Sequence, residues 1–215
     1  SGIELNKNIP KHWEVKKLPW VSFFQEGPGL RNWQFVDQGI PVVCVTNITT
    51  EGLNFEKYQR YISTDEYFQQ YKHFTVQKND LLLASSGNSF GKICQYKGEF
   101  AFPFILNTST IRVNSLNPEI IKTKYIYFLI QSNIFQNQIK ILITGAAQPN
   151  FGPSHLQQIK IPVPSIEEQE EIILILGKRI DDFNKLILKE SKKLVLLNEY
   201  RHSLISSVVT GKIRI

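Results

Sequence analysis

From Ser165 to the end of the chain there is no proline, and the only glycine before Gly211 is Gly177. A segment with so few breakers is predicted to fold as one continuous helix. Pro162-Val163-Pro164 holds the chain extended just before it. Ser165 supplies the N-cap, and Glu168 three residues on completes a capping box. Glu167, Glu168, Glu170 and Glu171 crowd the positive end of the helix dipole, where acids are stabilising. Roughly 45 residues at 1.5 Å each span roughly 67 Å. The apolar positions step by three and four: Ile173, Leu176, Ile180, Phe183, Ile187, Leu194, Leu197, Leu204 and Val208, with Glu190 and Arg201 at the two interruptions. Nine apolar residues at eleven positions over five heptads read as a coiled-coil seam. A helix of this length overruns a domain of about 160 residues, whose radius of gyration is only about 15 Å. Part of the seam is therefore predicted to meet another chain. A symmetric antiparallel pair sets Glu190 opposite Arg201 across the two-fold axis, which fixes register.

Residues 1–164 read differently, as a globular α+β domain, so the chain divides into 1–164 and 165–215. Strand-like runs occur at Pro41–Ile48, Leu81–Ala84, Lys92–Tyr96, Thr110–Val113 and Ile159–Val163. Turn residues separate them at Gly27-Pro28-Gly29, Glu51-Gly52, Lys78-Asn79-Asp80 and Lys97-Gly98. Asn117-Pro118 looks like an N-cap followed by a first-turn proline, so a helix is predicted to begin there. A second helical pattern runs from Asn133 to Ile143 and ends at Thr144-Gly145. Adjacent helices invite a helix-turn-helix reading, but the second is apolar-rich with Lys140 as its one basic residue, and core packing explains it better. Trp33 and Phe102 are likewise expected in the core. No apolar run approaches 18 residues and no signal-peptide pattern opens the chain. Cys44 and Cys94 lie in strand-like stretches without metal-ligand spacing. A reduced, cytoplasmic protein without metal or cofactor is the expectation.

The stretch "ASSGNSFGKI", residues 84–93, imitates a phosphate loop. A P-loop needs four residues between its first glycine and the Gly-Lys pair, then Ser or Thr for magnesium, then a helix. Here three residues separate Gly87 from Gly91, Ile93 follows Lys92, and the chain continues as a strand-like alternation. The remaining readings are a plain loop between strands, with glycines at positive φ, and a loop that presents polar groups to a polyanion. Charge bears on the second. Of the net +6, residues 1–164 carry +5, from 16 Lys/Arg against 11 Asp/Glu. A moderate basic excess in the globular part suits a polyanionic partner without proving one.

Several stretches, taken in order, resemble one known family. They are "IPKHWEVKKL", "GLRNWQFVDQGIPVVCVTNIT", "KNDLLLASSGNSFGKI", "TGAAQPNFGPSHLQQIKIPVPSIEEQEEI" and "RHSLISSVVTGKIRI". Together they are similar to the specificity (S) subunit of type I restriction-modification systems: a Pro-x-x-Trp opening, a target-recognition domain, a Ser-Gly loop that closes on Gly-Lys, a Pro-x-Pro stretch that runs into Glu-Gln and the close of a long helix. Asn79 stands where the family usually has glycine. Family members usually carry two recognition domains and two long helices. This chain has one of each and no internal repeat, so it resembles a half-size S subunit or one half cut from a longer chain.

The resemblance implies a non-catalytic, sequence-specific reader of double-stranded DNA, with a bipartite target. It would direct a separate methyltransferase (M) subunit and restriction (R) subunit, and pair with a second copy of itself. The residues agree that catalysis is absent: Asn117-Pro118-Glu119 fails the Asp/Asn-Pro-Pro-aromatic pattern of DNA methyltransferases, and His12, His73, His155 and His202 are scattered without a nucleophile. A reader needs Lys and Arg for phosphates and Asn, Gln, Ser, Thr or Arg for base edges. The loops supply Arg31, Asn32 and Gln34; Ser85, Ser86, Asn88, Ser89 and Lys92; Asn107 and Thr108; and Gln148 and Asn150. Gln148 and Asn150 sit within a stretch that carries the family resemblance, where an architectural role competes with base reading. The rival from another class is a coiled-coil assembly protein without sequence-specific DNA binding.

The seam yields a direct test. The double variant Ile180→Asp, Leu194→Asp should convert a dimer into a folded monomer, because the globular part has its own core. Light scattering at tens of micromolar reads the state, and a wild-type chain that is strictly monomeric there would remove the pairing.

Overall fold

The computed structural model describes residues 9–56, 59–143 and 149–213. The chain forms two compact units, Ser1–Glu170 and Glu171–Ile215. The first is a mixed α and β fold. Strands β2 (Ser22–Glu26), β9 (Thr110–Ser115), β6 (Leu81–Ala84) and β7 (Ile93–Gln95) make one antiparallel sheet in the order β2-β9-β6-β7. A second sheet has the order β3-β5-β4-β8, from β3 (Phe35–Val36), β5 (Tyr61–Ile62), β4 (Ile40–Val43) and β8 (Ile105–Leu106), with β4 and β8 parallel. A separate ribbon pairs β1 (Glu14–Lys17) with β10 (Lys160–Val163).

The Leu81-Leu82-Leu83-Ala84 run is buried throughout because its sheet is covered on both faces. Leu82 and Ala84 join a core with Val43, Ile48, Val76, Cys94, Tyr96, Phe104 and Leu106, which lies between the two sheets. Alternation turns Leu81 and Leu83 to the other face. There α2 (Thr123–Gln131) packs on β7 and β9, burying Tyr125, Ile126, Leu129 and Ile130. Helix α3 (Asn133–Leu142) buries Phe135 and Ile139, as core packing requires. The far side of the second sheet gathers Val42, Ile62, Tyr67 and Ile105. It is covered by a short helical segment, α1 (Thr64–Glu66), that continues as a π-turn through Tyr71.

Two sequence expectations change here. The strand expected over Pro41–Ile48 stops at Val43, because Asn47 folds back: its Oδ1 accepts the Cys44 N–H at 2.8 Å and closes a 3-10 turn over Val45–Asn47. The helix expected from Asn117 begins at Thr123 instead. Asn117 does cap, but it caps a tight turn, accepting the Glu119 N–H at 2.9 Å. The groups a continuing helix would use are taken by a residue far along the chain. Gln169, fully buried, accepts the Lys122 N–H at 2.9 Å and donates to the carbonyls of Ile120 and Pro164 at 3.0 Å each. Ser115 Oγ donates to the Ile121 carbonyl at 2.6 Å.

The long helix α5 runs unbroken from Ile166 to Val209, about 66 Å at 1.5 Å per residue. Its head is capped as the sequence suggests, with Glu168 N–H on Ser165 Oγ at 3.2 Å and Ser165 N–H on Glu168 Oε2 at 3.1 Å. Glu168 also receives His12 Nε2 at 2.7 Å and Trp13 Nε1 at 3.1 Å on Oε1. Lys122 Nζ lies 3.1 Å from Glu170. The head of α5, through Glu170, thus belongs to the globular unit by its bonds. Beyond it, Leu176, Ile180, Phe183, Ile187, Leu194, Leu197 and Leu204 are 37–62 % exposed in the single chain. Among the described residues no helix is long and apolar enough to cross a membrane.

His12 first, then Trp13, hold the Glu168 carboxyl down to about 2 from an ordinary 4.5. A depressed folded pKa contributes stability that is fully present above about pH 4.5 and lost as pH falls towards 2. Glu168→Gln should flatten the pH dependence of chemical-denaturation midpoints in that window. An unchanged slope would show that the clasp carries no charge-dependent stability.

Candidate nucleic-acid interface

The glycine loop answers its own question through its main chain. After β6 the chain makes a 3-10 turn at Gly87–Ser89, with φ of +63° at Gly87 and +76° at Gly91, and returns as β7. The amides of Phe90, Gly91 and Lys92 donate to the carbonyls of Gly87, Ala84 and Ser89 at 3.0, 2.8 and 2.9 Å. These amides are occupied inside the turn, so they form no cradle for a phosphate. The loop connects two strands and leaves Asn88 exposed at its tip and Lys92 exposed where β7 begins.

Its flanks are bonded to other loops. Ser85 N–H donates to the Ser109 carbonyl at 2.9 Å, and Phe151 N–H donates to the Ser85 carbonyl at 3.1 Å. Ser86 and Asn150 form an antiparallel bridge. Phe151 is buried and meets Phe90 edge-on at 5.2 Å. On the other side Gly27 N–H donates to the Thr110 carbonyl at 3.0 Å. Gly27 has no alternative residue: a Cβ there would stand 2.4 Å from the carbonyl oxygens of both Leu106 and Asn107. Thr108 Oγ1 donates to the Pro28 carbonyl at 3.2 Å. Four segments, 26–29, 107–110, 85–86 and 150–152, therefore converge along one edge.

Glu26 braces the group. Its Oε1 accepts the N–H of Ser109 at 2.8 Å, where the backbone is left-handed at φ +65°. A Cβ on Gly152 would lie 3.5 Å from its Oε2. Sequence reasoning overlooked Glu26, because a single glutamate at a strand end carries no local signal of a partner 83 residues away.

The candidate residues separate by exposure. Arg31, Asn32, Asn88, Lys92, Thr108 and Asn150 are exposed, while Ser86 and Asn107 are half-buried. Gln34, Ser85 and Ser89 are buried, contrary to a surface role. Gln34 accepts the Arg31 N–H at 2.8 Å and donates to Tyr71 Oη at 3.0 Å and to the Glu66 carboxylate, so its amide is committed inside. Asn107 caps its own turn, taking the Thr108 N–H at 2.9 Å, and its Nδ2 lies 3.5 Å from Cys44 Sγ. Burial pushes that thiol up, with the Asn107 bond and Arg60 opposing. Gln148 falls outside the described residues. The structure brings Ser85, Ser86, Asn107, Thr108 and Asn150 into one array with the glycine loop. Arg31 and Asn32 follow on the segment whose start is held there.

Two residues reverse their expected places. Trp33, expected in the core, is among the most exposed side chains of the globular unit, and Phe102 lies half out, at the edge of an aromatic group with Phe55 and Phe100. In the other direction, Arg112 is withdrawn from the basic surface: Nη1 donates to the Thr75 carbonyl at 2.6 Å and lies 3.6 Å from Asp80, and the guanidinium faces the Phe23 ring at 5.0 Å.

Comparison with known proteins places this geometry. The chain is 26 % identical over 210 residues to the MjaVIII specificity subunit of Methanocaldococcus jannaschii, covering 96 % of this chain and 48 % of that one. It is 28 % identical over 221 residues to the StySPI specificity subunit of Salmonella potsdam, covering 94 % and 44 %. The chain thus spans somewhat under half the length of these relatives. Among solved structures, a chain from a study of assembly and conformational transition of the type I R-M system superposes with a TM-score of 0.73 at 12 % identity, over 95 % of this chain and 47 % of the other. The HsdS subunit of Thermoanaerobacter tengcongensis gives 0.58 at 13 % identity, over 81 % and 39 %. These two likenesses show a shared fold. The model of the type I restriction modification DNA specificity domain matches residues 10–195, and the chain belongs to that family.

Proposed function

We propose that this chain reads a DNA sequence and lends that choice to a separate methyltransferase subunit and restriction subunit, with no chemistry of its own. The observation that carries the reading is the convergence of four main-chain-bonded segments along one edge of a specificity-domain fold, with exposed side chains that are basic or hydrogen-bonding. Arg31 and Lys92 neutralise phosphates, which sets affinity and register. Asn32, Asn88, Thr108 and Asn150 reach base edges in the major groove, with Ser86 beside them. Gln34 and Asn107 hold these loops in place from beneath through their side chains, and Ser85 and Ser89 through their main chains.

The exposed seam of α5 supports pairing with a second copy, antiparallel through Ile180, Phe183, Ile187, Leu194 and their neighbours. A homodimer carries two identical readers, and a two-fold protein axis matches a two-fold axis in the DNA. The target is then two inverted copies of one short half-site, about one helical turn or a small multiple apart. The spacer is unspecified in sequence and fixed in length, because packed helices do not stretch.

Binding assays test the reader. Lys92→Ala should weaken binding to all duplexes alike and lower the slope of log K against log salt by about one. Asn88→Ala should cost about 1–3 kcal/mol on the cognate half-site only. Wild-type affinity in both variants would remove the glycine loop from the interface and favour a protein-docking role. Methylome sequencing of cells holding this chain with its methyltransferase tests the symmetry. An inverted, interrupted repeat is expected. A continuous site, or one with unlike halves, overturns the homodimer.

A further inference from the structure

Beside the converging loops, one segment holds a large aromatic side chain out in solvent. Trp33 is 79 % exposed, yet the backbone that bears it is fixed on both sides. Leu30 and Phe35 pack against the core of Val42, Ile62, Tyr67 and Ile105. Between them Asn32–Gln34 close a 3-10 turn, with Gln34 N–H on the Arg31 carbonyl at 3.0 Å. The buried Gln34 amide ties that turn to Tyr71 and Glu66, and the Arg60 guanidinium covers the Phe35 ring at 4.4 Å. Leu30, Gln34 and Phe35 face inward, and Arg31, Asn32 and Trp33 stand outward as a consecutive trio. A slack loop would fold its indole onto the surface to remove it from water. Here the indole stays out while the backbone beneath it is held.

We propose that Trp33 is an aromatic wedge that enters a base step of the bound duplex and stacks on a base, with Arg31 beside it on a phosphate. The inference rests on the DNA-reading role given above and adds to it a side chain that acts through the π-face of a base, not through a hydrogen-bonded edge. An indole offers the largest flat apolar face of any side chain, and stacking on it is open to every base. Rigid mounting lowers the ordering cost on binding. Insertion partly unstacks the step and bends the duplex, so the wedge selects sequences that deform readily, pyrimidine–purine steps above all. The neighbouring guanidinium supplies the charge that a purely apolar protein-docking residue would not need.

The test uses the full chain and duplexes enriched from a random library by wild-type binding, with 2-aminopurine placed at successive positions across and beside each half-site. The wild type should raise fluorescence at one step, which reports local unstacking. Trp33→Ala should abolish that rise and weaken binding about 5- to 150-fold, the equivalent of about 1–3 kcal/mol per stacked base. The salt slope should be unchanged, since no phosphate contact is lost. Trp33→Phe should restore part of both signals, which a merely structural residue would not do in the fluorescence channel. Tight DNA binding by the wild type with no fluorescent step, together with wild-type affinity in Trp33→Ala, overturns the wedge and leaves the DNA reader standing. A wild-type chain that enriches no duplex overturns both.

Discussion

The close approach at Gly27 is the constraint on which the globular unit is arranged. Only a residue without Cβ lets the end of β2 lie against the carbonyls of Leu106 and Asn107. That approach sets Gly27 on Thr110, and Thr110 is where the two sheets meet. Its hydroxyl faces the carbonyls of Val43 and Asn107, and the Asn107 N–H donates to Val43 at 2.8 Å. With the corner closed, Glu26 reaches Ser109 and the edge of Gly152, and the loops after β6 and before α4 (Pro153–Leu156) fall into line. A corner built from backbone contacts tolerates little change, since carbonyls cannot swing aside as a side chain can.

A second organising point lies at the head of α5. Glu168 gathers the N-terminal residues His12 and Trp13, and Gln169 gathers the turn before α2. The Glu-Gln pair that makes this stretch recognisable in sequence thus has a structural office: it bonds the beginning and middle of the globular unit to the first turn of the long helix. Each polar atom of the buried Gln169 amide has a partner, as a buried amide requires.

What was legible in the sequence was local or periodic. Ser165 and Glu168 announce their helix because a capping box is four residues long. Leu81–Ala84 announces its strand because full burial leaves an unbroken apolar run. The extent of α5 follows from the absence of breakers. What was not legible depends on partners far along the chain. Asn117-Pro118 reads as a helix start until Gln169, 47 residues beyond Lys122, takes the backbone groups a helix needs. Gln34 reads as a surface amide until Glu66 and Tyr71, 32 and 37 residues away, close over it. Once Gln34 turns inward, Trp33 faces out against the ordinary habit of tryptophan. Of the candidate site, the loops were identified and the division of their residues into outward and inward was not, because loop side chains follow no period.

Three of the bonds that align the four loops run between main-chain atoms: Ser85 to Ser109, Phe151 to Ser85, Gly27 to Thr110. Such bonds are indifferent to the side chains mounted on them. Positions 86, 88, 92 and 150 can therefore exchange one residue for another while the frame beneath keeps its shape, whereas 27, 34 and 169 cannot. The molecule separates a fixed chassis from a face whose side chains can be rewritten without refolding.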